Sequence, residues 1–82
     1  METWTRHTIE HGTVENRRFI AERTDIPADV VEALSRDVDA GVRRRIARRN
    51  SLPAAVVDTL AHDKDAFVRR YIAERADKHA TK

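Results

Sequence analysis

Cysteine is absent from the sequence. That excludes a disulfide framework and any Cys-ligated zinc or iron–sulfur site, and it fits a reducing compartment. No apolar run approaches the roughly 18 residues that a membrane-spanning helix needs. The opening stretch METWTRHTIEHG lacks the apolar core of a signal peptide. These absences set the expectation of a cytoplasmic protein with no membrane partner. Glycine and proline are scarce, two of each. With many Ala, Val and Arg, the composition reads as helix-rich. An excess of one charge is missing too. Sixteen basic residues face fourteen acidic ones, for a net charge of +2. Dedicated nucleic-acid domains are usually more lopsided, so a protein partner is favoured over a nucleic acid. Eighty-two residues make one small domain. A protein of that size buries only about 60–65% of its unfolded surface, so its stability is modest.

What the sequence does have is a period of 26 residues. Ile20, Ile46 and Ile72 share one position, and Ala21, Ala47 and Ala73 the next. Arg17, Arg43 and Arg69 match, as do Arg23, Arg49 and Arg75. Ile26-Pro27 matches Leu52-Pro53, and Asp37 and Asp39 match Asp63 and Asp65. The units are a degenerate cap over 1–13, repeats over 14–39 and 40–65, a half-repeat over 66–77 and a loose tail over 78–82. The tail is inferred because Lys78 and His79 replace the hydrophobic-proline pair that opens the next helix in the other copies.

Each repeat holds two helical patterns. In PADVVEALSR, Val30, Val31 and Leu34 lie on one side at 100° per residue, with Asp29, Glu32 and Arg36 opposite. Pro27 and Pro53 suit a first helical turn, with Asp25 and Ser51 as N-caps ahead of them. In AGVRRRIARR, Val42 and Ile46 share a face. Asp37 or Asp39 can cap that helix, and Asp63 or Asp65 its copy. No stretch alternates as a strand does. Helices this short bury their apolar sides only by stacking. The expected fold is therefore all-α: a short right-handed α–α solenoid of five or six helices. Its expected core is Ile20, Val30, Leu34, Val38, Val42, Ile46, Val56, Leu60, Val68 and Ile72. Ile26 and Leu52 plug the turns, and Trp4 and Ile9 close the N-terminal end. The C-terminal end stays open as a surface for homo-oligomer contacts.

LSRDVDAGVRRRIARR and LAHDKDAFVRRYIAER share the form L-x-x-D-x-D-x-x-V-R-x-x-I-A. This resembles HEAT-like helical repeats. With a 26-residue unit and SLP opening it, the sequence is most similar to the leucine-rich repeat variant family. The resemblance covers residues 14–77 and implies architecture, not activity. It implies that one helix per repeat carries some 3₁₀ geometry. The Cys-ligated cluster of some members is not carried over, and no cofactor is expected. In such arrays the helix opening with Val-Arg lines the concave surface, and the Asp before it bonds arginine. That makes Asp37, Arg43, Asp63 and Arg69 a structural ladder. The helical wheel agrees for Arg43, which falls inside the apolar arc and so must be paired.

Arg44, Arg45 and Arg48 point away from that arc. Arg18 has Glu22 four residues on and Arg70 has Glu74, each a favourable pair; Arg44 meets Arg48 instead, a repulsive one. Two readings follow: a solvated charged face, or an anion-accepting patch of Arg18, Arg44, Arg45, Arg48 and Arg70. Phe19, Arg45 and Tyr71 also share one repeat position. With stacked helices about 8–10 Å apart, Arg45 could sit between two rings. That row is either an internal cation–π ladder or an exposed strip, enlarged by Phe67, that stacks on a partner's side chain or a base. The functional expectation is a non-catalytic interaction module whose Arg-rich face takes an acidic protein segment. The alternative is a nucleic-acid module using the same arginines on phosphates.

HTIEH at 7–11 matches the H-x-x-E-H pattern of a class of zinc peptidases. A peptidase needs a third protein ligand, a water and a cleft. The stretch is read as a capping helix with solvent-facing histidines, without metal.

Overall fold

The computed structural model describes the backbone of residues 3–80 and the side chains of residues 6–75. It is all-helical, with no strand among the described residues. Six α-helices follow one another: α1 (Thr3–His11), α2 (Val14–Glu22), α3 (Ala28–Leu34), α4 (Ala40–Ala47), α5 (Ala54–Ala61) and α6 (Ala66–Ala80). None is long and apolar enough to cross a membrane among the described residues.

The packing follows the period. α2 lies against α4 and α4 against α6; in the other row α1 meets α3 and α3 meets α5. The body measures 40 × 23 × 17 Å, elongated along one axis. Between the rows sits one core of Ile20, Val30, Leu34, Val42, Ile46, Val56, Leu60, Val68 and Ile72, each at most 4% exposed. Ala21 and Ala47 are buried where the even helices meet. Their equivalent Ala73, on the last helix, is exposed. Ile9, Ile26 and Leu52 pack half-buried against the core. The side chain of Trp4 lies outside the described residues.

Four local expectations fail. Val38 is not core; it is 89% exposed. It stands between Asp37 and Asp39, whose carboxylates both turn back onto the preceding repeat, so the alternate residue points outward. Pro27 and Pro53 are the N-cap residues themselves, without side-chain caps. The Pro27 carbonyl accepts from Val30 N–H and Val31 N–H, while Asp25 turns away to Arg23, 2.7 Å off. No 3₁₀ segment occurs among the described residues. Three-residue bonds such as Asp37 N–H to Leu34 C=O, 3.2 Å, are confined to the helix ends. Finally, α6 runs through 78–80, where a loose tail was expected. Pre-proline positions disfavour helix, and without the proline of the other copies nothing there stops it. Residues 81–82 lie outside the described residues.

Candidate functional site

Each Asp-x-Asp turn does two jobs. Asp39 caps α4 by accepting from Val42 N–H at 2.9 Å, and Asp65 caps α6 by accepting from Val68 N–H at 3.0 Å. Of the two possible caps, it is the second aspartate of each pair that serves. The first aspartate is left to meet the preceding repeat. Asp37 accepts from Arg17 Nε at 2.7 Å and Nη2 at 3.3 Å. Asp63 accepts from Arg43 Nε at 2.8 Å and Nη2 at 3.3 Å. Each first aspartate also accepts a backbone N–H of its own turn. The Arg43–Asp63 pair is nearly dry, its side chains 7% and 8% exposed.

The expected ladder thus runs from the arginine of one repeat to the aspartate of the next. It holds Asp37, Arg43 and Asp63, together with Arg17, whose part was not foreseen. Arg69 departs from it. It donates to the carbonyl of Asp63 at 2.6 Å, is exposed, and meets no carboxylate among the described residues.

The second aspartates take the outer arginines as well. Arg18 Nε and Nη2 lie 3.1 and 3.2 Å from Asp39. Arg44 Nε and Nη2 lie 3.0 and 2.8 Å from Asp65. Arg18 therefore leaves Glu22, its expected partner. A two-pronged bond to an aspartate fixed as a cap outcompetes a flexible i,i+4 pair. Arg70 meets no such turn among the described residues and keeps Glu74 at 3.1 Å. The Arg44 hydrogen bond holds the Asp65 carboxyl well down, to about 2, against an opposing push from burial. Asp39 is lowered by Arg18 in the same way. A depressed folded-state pKa gives stability that is present above the unfolded value of about 3.9 and lost as pH falls toward the folded value. The melting temperature should hold down to about pH 4 and drop between about 4 and 2. Asp65→Asn should flatten that drop, which thermal melts across the range would show.

Arg45 does not sit between Phe19 and Tyr71 as expected. Its Nε donates to Glu22 at 3.0 Å and its Nη1 to the Gly41 carbonyl at 3.1 Å. Among the described residues the guanidinium–ring contacts fall on Arg44 over Phe67 at 4.8 Å and Arg48 over Tyr71 at 5.6 Å. The repeat explains the shift. Adding 26 to Glu22 and Arg45 gives Arg48 and Tyr71, so one cross-repeat contact is an ion pair first and a cation–π contact next. Gly41 and Phe67 are also equivalents. A Cβ on Gly41 would lie 2.9 Å from Arg18 Nε and 2.8 Å from the Asp39 carboxylate. In the following repeat the ring at that position carries Arg44 on its face instead. Phe19 and Phe67 stay 62% and 50% exposed.

A second arginine ladder was not foreseen. Arg49 Nη1 donates to the carbonyls of Ala21, 3.0 Å, and Arg23, 2.6 Å. Arg75 Nη1 reaches the carbonyls of Ala47 and Arg49, and its Nη2 that of Asn50 at 3.1 Å. These are orphan carbonyls where α2 and α4 end, which a cation satisfies well. The match of Arg23, Arg49 and Arg75 was visible, and its place two residues beyond the recurring alanine was the available signal. Arg23 itself pairs with Asp25.

Two open clefts border this ladder. One, of about 450 Å³, is lined by Ala21, Glu22, Arg45, Arg48, Arg49 and Ser51 among others. The other, of about 420 Å³, is lined by Ala47, Arg48, Asn50, Tyr71, Glu74 and Arg75 among others. They are the same site one repeat apart. Arg48 lines both. Of the five candidate arginines, Arg18, Arg44, Arg45 and Arg70 carry ion pairs, whereas exposed Arg48 has none among the described residues. The rings of His7 and His11 lie 5.0 Å apart. No group of three or more metal-binding side chains occurs among the described residues. Scans of family models, of curated proteins and of solved structures find no match to this sequence.

Proposed function

We propose that this protein is a non-catalytic helical-repeat module, a short right-handed α–α solenoid resembling the leucine-rich repeat variant proteins. Its α2–α4–α6 face binds an acidic protein segment. One observation carries the reading: the two clefts recur side by side along that face, and the arginine they share is left without a carboxylate among the described residues. A recurrent groove suits an extended ligand that crosses successive helices. An unneutralised arginine at its centre suits an acid on that ligand. The other arginines frame the groove, already balanced by the protein's own aspartates and glutamates. That balance favours a peptide over a nucleic acid, which would draw on many free cations.

The test uses a fluorescent oligo-glutamate peptide, random duplex DNA and single-stranded DNA, each titrated at several salt concentrations. The peptide should bind and should weaken as salt rises. Arg48→Glu should weaken it at least about tenfold, since it inverts the central charge. The fold should barely notice. The variant gives up one exposed cation–π contact, about 0.5–1 kcal/mol. It gains a favourable helical pair between Arg44 and the new glutamate, about 0.2–0.5 kcal/mol. Tight DNA binding with a steep salt slope would replace the peptide reading with the nucleic-acid one.

A further inference from the structure

The two clefts differ in one respect that bears on what each can hold. In the second, Arg75 has both terminal nitrogens committed to carbonyls of α4 and the loop after it. Glu74 stands where Arg48 stands in the first, and Tyr71 where Arg45 stands. In the first, Arg49 Nη1 reaches across to the end of α2, so its guanidinium lies on the floor between α2 and α4. Its Nε–H has no acceptor. Among the described residues it is the buried side-chain nitrogen or oxygen atom left without a partner. A buried donor on a charged group is costly to leave unmade. Beside it stands Arg48, the groove arginine without a carboxylate among the described residues.

We propose that the α2–α4 cleft is a carboxylate pocket, in which the Arg49 Nε–H donates to one acidic group of the partner and Arg48 neutralises its charge. This rests on the reading of an acidic partner above. A single carboxylate fits what the pocket offers: one orphan N–H and one unpaired cation. A phosphate would bring two charges and more oxygens than these donors meet, next to the Glu22 carboxylate on the same wall. The second cleft, with Tyr71 and Glu74, takes an uncharged part of the same segment. The carboxylate is supplied by an Asp or Glu side chain or by a free peptide C-terminus.

The experiment follows the Arg49 Nε–H resonance of the ¹⁵N-labelled full-length protein during titration with three short peptides. One has a central Glu and blocked ends, one has Gln in its place, and one has no acidic side chain but a free C-terminus. The Glu peptide should move that resonance and the Gln peptide should not. Arg48→Gln should weaken the Glu peptide at least about tenfold. Arg49→Lys, which keeps a cation but has no Nε–H, should weaken it about fivefold. The same shift from the free C-terminus alone would support the pocket with the peptide end as its source. If the Glu peptide binds the α2–α4–α6 face while the Arg49 Nε–H stays still, the pocket is wrong and the acidic-partner reading stands. If no peptide binds, both fall together.

Discussion

Asp63→Ala should cost about 3 kcal/mol of folding free energy, the usual scale for removing one partner of a buried ion pair. The Asp63 carboxylate accepts from Arg43 Nε and Nη2 and from the Asp65 N–H. Its loss strands a guanidinium that is 7% exposed. A charge so placed has little water to turn to, and the bond left to it among the described residues is that to the Asp37 carbonyl at 2.6 Å. Much of the cost is therefore the burial of an unpaired charge, not the bond itself. The double replacement Arg43→Met/Asp63→Leu should recover a large part of it, because it removes the charge together with its partner. Asp39→Ala should cost less, since its Arg18 is 38% exposed and can turn to solvent. Urea unfolding of the wild type and the three variants measures all of this. A loss below about 1 kcal/mol for Asp63→Ala would place Asp63 outside the framework.

Arg49→Met should cost about 2 kcal/mol, since it leaves two carbonyls at the end of α2 without their donor, each bond being to a charged group. Methionine keeps the apolar stem, so the loss reports the guanidinium. The location of the damage is as telling as its size. Amide exchange should quicken in the last turn of α2, although the substitution is just past the end of α4. Unchanged exchange there would show that the carbonyls find water as readily as arginine.

The fold was legible because the period was. Twenty-six-residue matches of Ile20, Ile46 and Ile72 mark the core without any knowledge of how helices dock, and all three are buried. Val38 failed for want of that same comparison. Its equivalent is Lys64, and a lysine at the matching position argues against a buried valine. The arginine face was legible only in part. A helical wheel says which way a side chain leaves its helix, not which neighbour it reaches. Arg18 and Glu22 face each other on the wheel, yet Arg18 reaches 21 residues ahead to Asp39. Arg49 was harder still, because its partners are backbone carbonyls, which leave no trace in residue identity.

The two arginine ladders run in opposite directions. Arg17 and Arg43 reach forward to the turn of the following unit. Arg49 and Arg75 reach back to the helix end of the preceding one. The boundary between the two full repeats, and that between the second repeat and α6, are therefore stitched from both sides, and each unit borrows a terminator from its neighbour. In a one-dimensional lattice this places stability in the couplings between sites and not in the sites. Such a lattice has no cheap partial melt. Peeling off one end forfeits the coupling while the freed segment gains little order of its own, so short truncations should abolish folding outright where a loosely coupled array would merely shorten.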